Sequence, residues 1–131
     1  MRSTSKRVAV KQLTDEVWEV IRQYSKDYLN TELPEDFREY LEENTVIWPF
    51  DGGVFVMTGN EFDLFVVPRK RGRWNVVKTM KSFLEEMHKC HDELIVRIHE
   101  RNGPSLKLAK FFGFVEVEKD DYGFIRMEHG R

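Results

Sequence analysis

Apolar residues recur at helical spacing in four stretches of the chain. In the first, Val17, Ile21, Tyr24 and Tyr28 share one helical face, which indicates a helix with one buried stripe. Thr14 stands directly before two acidic residues and is a suitable N-cap, because its hydroxyl can accept a free backbone N–H of the first turn. The pattern predicts a first helix that begins after Thr14.

The other three helical stretches are bounded by residues that favour helix ends. The second helix is predicted to begin at Pro34 and to end near Asn44, since proline needs no N–H partner at the first helical position. The third is predicted to run for about four turns from Asn75. The last is short, opening at Pro104 and stopping at Gly113.

Short runs of alternating or β-branched residues predict the strands. In chain order these runs are RVAVKQL, TVIWPF, VFVMT, EFDLFVV, ELIVRIHE, FVEVE and FIRME. Turn-forming segments DGG, GN and KDDYG separate several of them. The predicted order is β-α-α-β-β-β-α-β-α-β-β, an α/β chain.

Composition favours one small domain without a strong overall field. A chain of 131 residues that is 40% hydrophobic, with ten Phe, is long enough for a single domain over residues 1–131. The net charge of −2 attracts neither nucleic acid nor an anionic membrane. One cysteine, Cys90, excludes an internal disulfide. No apolar run approaches the ~20 residues of a membrane span, so we expect a soluble cytoplasmic protein.

The octet PRKRGRWN, residues 68–75, joins an apolar strand to the third predicted helix. Free N–H groups at the start of a helix can receive a phosphate, and nearby cations add to this; here they are Arg69, Lys70, Arg71 and Arg73. Two alternatives remain open. The octet is a solvated loop, or it binds nucleic acid with Trp74 stacking on a base.

Two longer segments carry a resemblance to a known family. FVVPRKRGRWNVVKTMKSFL resembles the pyrophosphate loop of the GNAT family of acyl-CoA-dependent N-acetyltransferases, and RNGPSLKLAKFFGF resembles the segment that joins its fifth strand to its last helix. The resemblance covers nearly the whole chain. It implies a mixed, mostly antiparallel central sheet flanked by helices, with acetyl-CoA as the co-substrate.

The first segment implies a set of cofactor-binding positions. By resemblance, the amide of Val67 polarises the thioester carbonyl, and the loop that follows holds the pyrophosphate; the loop positions are Arg69, Arg71, Gly72, Arg73, Trp74, Asn75 and Val76. The family pattern is Gln/Arg-x-x-Gly-x-Gly/Ala. Counted from Arg71, Trp74 and Val76 fall on the small-residue positions; counted from Arg69, Gly72 matches the first and Trp74 falls on the second.

The second segment is similar to the family pattern Asn-x-x-Ala/Ser before Gly-Phe. This resemblance places Asn102 and Ser105 on the pantetheine side of the cofactor. Many members carry a tyrosine that protonates the leaving thiolate, and here that position is Ala109. The wording of both segments looks closest to small phage-encoded members of the family.

A transferase of this type needs a base to deprotonate the acceptor amine. Glu61 and Asp63, on one side of a predicted strand by alternation, are the candidates; the alternative is that both are solvated at a strand edge. The first two helices expose acidic residues that would attract an amine, namely Glu16, Glu19, Glu35, Asp36, Glu39, Glu42 and Glu43.

Two histidine-containing stretches have rival interpretations. In HKCHD, His88, Cys90 and His91 lie within four residues, but no second Cys/His pair at finger spacing exists, so we expect no metal site. Arg97 and His99 alternate along a strand and either line a substrate cleft or cap a polar surface, the latter being favoured.

Three functions are compatible with these features. The first is an acetyl-CoA-dependent N-acetyltransferase in which an amine attacks the thioester directly. The second is a catalytically inactive protein of the same fold, a phage structural or host-interaction factor that would bind a protein partner and be associated with the virion. The third, a nucleic-acid-binding module, is disfavoured by the net charge. A homodimer is common among members of the family.

Overall fold

A computed structural model of the protein describes residues 13–70, 72 and 75–131. Its helices and strands, in chain order, are α1 (Asp15–Tyr24), α2 (Asp36–Asn44), β1 (Val46–Phe50), β2 (Gly53–Thr58), β3 (Glu61–Val66), α3 (Val76–His88), β4 (Glu93–His99), α4 (Gly103–Phe111), β5 (Val115–Lys119) and β6 (Phe124–Gly130). The strand predicted over residues 7–13 falls outside the described residues except for Leu13. No described helix has the length and apolar character needed to cross a bilayer.

The six strands form one mixed sheet in the order β1-β2-β3-β4-β6-β5. β3 and β4 run parallel, with Glu61 opposite Ile95 and Phe62 opposite Val96. The pairings of β1 with β2, of β4 with β6 and of β5 with β6 are antiparallel. The predicted α/β class, with a mixed and mostly antiparallel sheet flanked by helices, is confirmed.

The first helix begins where its cap predicts. The Thr14 hydroxyl oxygen accepts the N–H of Val17 at 3.1 Å, and α1 starts at the next residue after Thr14. Beyond Tyr24 the hydrogen-bonding pattern widens into a π-helical turn over Ser25–Leu29, which ends at Asn30 in the left-handed region with φ 52°. The apolar pattern gave no sign of this widened turn.

The start of α2 corrects one sequence-based expectation. Pro34 is not the first helical residue, because α2 begins at Asp36 and the Pro34 carbonyl accepts the N–H of Phe37 at 3.0 Å in the preceding turn. The predicted end at Asn44 is confirmed.

The chain divides into two compact units. The first unit comprises residues up to Gly59 together with Asp63–Trp74, and the second comprises Asn60–Phe62 together with Asn75–Arg131. The core of the first unit contains Leu13, Val17, Trp18, Ile21, Ile47, Val54, Val56, Phe65 and Val67. In the second unit, the Phe62 ring contacts Phe83 and Phe114, with centroids 4.9 and 5.9 Å away. The single domain remains a prediction.

Two side chains of α2 hold the residue that leads into α1. Glu42 accepts the backbone N–H of Leu13 at 2.7 Å, and Arg38 donates to the carbonyl oxygen of the same residue. Arg38 also pairs with Asp15 at 2.7 Å. Both backbone groups of Leu13 are therefore satisfied by side chains, which fixes the start of α1 against α2.

Substitution of Gly53 by alanine is expected to destabilise the protein by about 1–3 kcal/mol, because a methyl group there would overlap the Phe65 carbonyl oxygen and the Phe50 ring. Urea denaturation would measure the shift in midpoint. Gly130→Ala is the matched control, since a Cβ at Gly130 meets no atom within 4 Å. Equal midpoints for the two variants would contradict the expected overlap.

Candidate functional site

The basic loop, residues 68–75, follows a buried and hydrogen-bonded residue at the end of β3. Val67, which follows β3, is 1% exposed, and its N–H donates to the Gly52 carbonyl at 2.8 Å. A role for this amide in polarising a thioester carbonyl would require it to exchange that bond. Pro68–Lys70 then form a short 3-10 turn.

The first two cations of the loop are engaged in ion pairs within the first unit. Arg69 donates twice to Glu16, from Nε at 2.9 Å and from an Nη at 3.0 Å, while Lys70 contacts Asp51 at 3.0 Å. The hydrogen bond from Arg69 lowers the pKa of Glu16. Both side chains of the Arg69 pair are largely exposed, so the pair orients the loop more than it stabilises the fold.

The remainder of the predicted cofactor loop is described in part. Gly72 is exposed and has φ +78°, a left-handed conformation that favours glycine. The predicted residues Arg71, Arg73 and Trp74 lie outside the described residues.

Two helix starts in the second unit are capped by asparagine. Asn75 accepts the N–H of Lys78 at 3.2 Å at the start of α3, and Asn102 accepts the N–H of Ser105 at 3.4 Å at the start of α4. The two ends differ in their donors, because Pro104 in the first turn of α4 has no N–H. The start of α3, where Val76 is the first helical residue, therefore has more free N–H groups than the start of α4.

The two candidate bases have different surroundings. In the second unit, Glu61 accepts a hydrogen bond from Arg97 Nε at 3.0 Å. In the first unit, Asp63 is exposed and lies near Tyr24, whose pKa is raised by burial and, second, by the charge of Asp63. Sequence reasoning identified neither neighbour, because both depend on how β3 packs. The two carboxylates therefore differ in their neighbours, Arg97 for Glu61 and Tyr24 for Asp63.

A cleft of about 160 Å³ lies in the first unit beside the Arg69–Glu16 pair. Its apolar walls include Leu13, Val17, Ile47, Val54 and Val67. Thr14, which also lines the cleft, is already bonded to the backbone of α1. The cleft therefore offers apolar surface with a neutralised ion pair, which is poorly suited to a phosphate.

Ala109, at the position of the family tyrosine, is 6% exposed on α4. Its methyl group cannot donate a proton. Within this part of the second unit, α4 therefore supplies no hydroxyl at that position for a leaving thiolate.

His88, one of the histidines singled out by the sequence, bonds with the His129 ring and with the backbone of His91. His88 Nε2 and His129 Nδ1 are 2.9 Å apart, and His88 Nδ1 lies 2.8 Å from the His91 carbonyl. A carbonyl only accepts, so His88 donates through Nδ1 and its Nε2 accepts from His129. Among the described residues, no group of three or more His, Cys, Asp or Glu side chains is arranged to hold a metal ion.

His99 corrects the expectation of a polar surface. It is 6% exposed, its Nδ1 accepts the Arg101 N–H at 3.1 Å, and its Nε2 donates to the Tyr122 carbonyl at 3.0 Å. The ring also contacts Phe124 edge-on, with centroids 4.9 Å apart. This histidine joins the end of β4 to the β5–β6 turn.

Comparisons with known proteins give matches only among solved structures. No family model matches the sequence, and no curated protein matches it. The spermidine N-acetyltransferase of Vibrio cholerae, solved with CoA and spermine, is 14% identical with a TM-score of 0.67, covering 95% of this chain and 96% of that one.

Two structures solved with acetyl-CoA give similar matches. YncA from Salmonella typhimurium is 14% identical, with a TM-score of 0.67 over 86% of this chain and 84% of that one. The N-acetyltransferase PseH from Campylobacter jejuni is 18% identical, with a TM-score of 0.61 over 92% and 94%. These structural neighbours are GNAT-family N-acetyltransferases, and the predicted GNAT fold is confirmed.

Stability is expected to fall as the pH drops through about 6.5. Burial, and next the nearby His88, lower the pKa of His129 from its ordinary 6.5. On acidification the unfolded chain therefore takes up this proton first, which favours unfolding. Melting temperatures from pH 7.5 to 5.0 would measure the effect. His129→Asn, which keeps a donor near His88 without titrating, should flatten the decline; an unchanged pH slope would contradict the assignment.

Proposed function

We propose that the protein is an acetyl-CoA-dependent N-acetyltransferase that transfers an acyl group to an amine. The observation that carries the proposal is the start of α3, a 13-residue helix whose first N–H groups follow the basic loop directly. The GNAT fold supports it, since three structural neighbours were solved with CoA or acetyl-CoA.

The cofactor is assigned to the two segments that resemble the family. The pyrophosphate is bound by the loop and the start of α3. Arg71 and Arg73 supply the positive charge, because Arg69 and Lys70 are already paired with Glu16 and Asp51. Arg69 joins them only when its pair with Glu16 opens. The remaining cofactor positions are Val67, Gly72, Trp74, Asn75, Val76, Asn102 and Ser105.

The reaction requires no covalent enzyme intermediate. The neutral amine nitrogen attacks the thioester carbonyl carbon, a tetrahedral intermediate forms, and its collapse expels CoA thiolate. Asp63, which is exposed, accepts the proton lost by the amine, directly or through a water. The alternative base, Glu61, is hydrogen-bonded to Arg97. Since Ala109 offers no proton, the thiolate takes one from water or leaves unprotonated.

A second candidate function is a catalytically inactive GNAT-fold protein that acts as a phage structural or host-interaction factor. Two observations favour it. Arg69 and Lys70 are neutralised within the first unit, and Ala109 replaces a proton donor. Such a protein would bind a protein partner and show no affinity for acetyl-CoA.

Acetyl-CoA binding should depend on which arginines of the loop are removed. The double variant Arg71→Ala, Arg73→Ala is expected to weaken binding at least tenfold, because a charge-assisted hydrogen bond contributes about 1.5–3 kcal/mol. The matched double variant Arg69→Ala, Lys70→Ala should change the affinity less than threefold, since both cations already have acidic partners. Calorimetric titration measures both. Equal losses of affinity in the two double variants would mean that Arg69 and Lys70 also contact the cofactor. If the wild type gives no heat of binding at millimolar acetyl-CoA, the inactive protein is favoured.

Substitution of the two candidate bases, Asp63 and Glu61, should lower kcat to different extents. Asp63→Asn is expected to lower kcat by about 10²–10⁴-fold, the usual contribution of a positioned base. Glu61→Gln should lower kcat less, because Glu61 is paired with Arg97. Release of free CoA thiol with an amine acceptor measures the rate. A larger loss for Glu61→Gln would reverse the assignment.

A further inference from the structure

We propose that Tyr24, Tyr28 and Asp63, here called the tyrosine–aspartate cluster, form a recognition site for a protonated alkylamine. The aromatic faces and the carboxylate would hold the ammonium group together. The proposal rests on the proposed function for the fate of the amine, but binding itself requires no acetyl transfer.

Tyr24 packs against Phe65 of β3, and Tyr28 packs against Tyr24. The centroids of Tyr24 and Tyr28 are 4.9 Å apart with planes at 44°, and Tyr24 meets Phe65 edge-on at 5.5 Å. Asp63 lies two residues before Phe65, so its carboxylate leaves the same face of the strand. The cluster therefore places a carboxylate next to an aromatic pair, the combination that attracts ammonium groups.

Exposure and charge agree with this role. Asp63 is exposed, and both tyrosines are partly exposed, so a ligand can reach the cluster from solvent. The charge of Asp63 also raises the pKa of Tyr24, after the larger effect of burial. A negative potential that disfavours a tyrosinate at this place favours a cation.

The backbone geometry of the cluster is unusual. Tyr24 ends α1, and Tyr28 lies in the π-helical turn Ser25–Leu29. Because this turn is wider than an α-helical one, it changes the direction in which Tyr28 projects relative to Tyr24. Such turns are rare and recur at functional sites.

The helical part of the first unit carries an excess of acidic residues. Residues 13–44 contain ten acidic and three basic side chains, a net charge of −7 in a chain whose total is −2. Each of the three bases is paired to an acid within this segment: Arg22 with Glu19, Lys26 with Glu32 and Arg38 with Asp15. The excess attracts cations toward the cluster, an effect that salt screens.

These features select an alkylammonium rather than a metal ion. One carboxylate with two phenol rings is a poor ligand set for a hard cation, which prefers several oxygen ligands. The partly exposed phenol ring of Tyr24 offers apolar surface for methylene groups. The chemistry is shared by the ends of polyamines and by lysine side chains.

The test measures amine binding without acetyl-CoA, by calorimetry at low salt, with spermidine and a short lysine-rich peptide as probes. Tyr28→Leu is expected to weaken binding about threefold to tenfold, and Tyr28→Phe, which keeps the ring, should restore most of it. Glu39→Gln is the matched control, because it removes an exposed charge on α2 from the same acidic segment and leaves every residue of the cluster unchanged. Circular dichroism verifies that each variant is folded.

Each outcome bears on the site. Tighter binding of spermidine than of the peptide identifies a small polyamine as the source of the ammonium, and the reverse identifies a protein lysine. Equal losses for Tyr28→Leu and Glu39→Gln would assign binding to the diffuse acidic surface and overturn the site, as would no binding of either probe.

Activity separates this proposal from the proposed function. If the protein acetylates an amine and the KM for that amine is unchanged in Tyr28→Leu, amine recognition by the cluster is wrong and the proposed transferase function is retained. If an amine binds in a way that requires the Tyr28 ring but no acetyl group is transferred, amine recognition by the cluster is retained and the proposed transferase function is wrong.

Discussion

The close approach of the β1–β2 turn to the end of β3 is the constraint on which the first unit depends. Gly52 accepts the N–H of Val67 at 2.8 Å, and the absence of a side chain at Gly53 leaves room for the Phe65 carbonyl. Lys70, directly beyond, pairs with Asp51 of the same turn. The direction in which the basic loop leaves the sheet is thus set by backbone packing and then by charge. Arg69 follows by pairing with Glu16 on the first turn of α1.

Local chemistry explains why much of the fold was predictable. The cap at Thr14, the strands bounded by turn residues and the helix that starts after Asn75 each depend on neighbours within a few residues. The predicted start at Pro34 failed because a proline suits the turn before a helix as well as its first position. The π-helical turn over Ser25–Leu29 was not anticipated, because Tyr24 and Tyr28 are four residues apart in sequence, which is the spacing expected of an α-helix.

The candidate site was less predictable, because its residues are defined by partners far away in sequence. Four loop cations looked equivalent in the sequence, yet the two that the structure describes are tied to Glu16 and Asp51. His99 alternated like a surface residue but is buried by the turn that follows β5. In both cases the deciding contact joins segments about twenty or more residues apart, which a local pattern does not encode.

The two asparagine-capped helix starts are alike in sequence but differ in the number of free backbone N–H groups that they present. Pro104 removes one of the N–H groups that would otherwise face outward at α4, whereas α3 begins with two valines that keep theirs. Under the proposed function, a doubly charged pyrophosphate would therefore gain more from the start of α3, which is close in sequence to Arg71 and Arg73, than from the start of α4. Because two guanidinium groups can each contact a phosphate bidentately, internal pairing of Arg69 and Lys70 does not by itself deprive a cofactor of charge. What it removes is surplus positive charge, so that under the proposed function phosphate affinity would depend on geometry at one helix end and not on a diffuse basic surface.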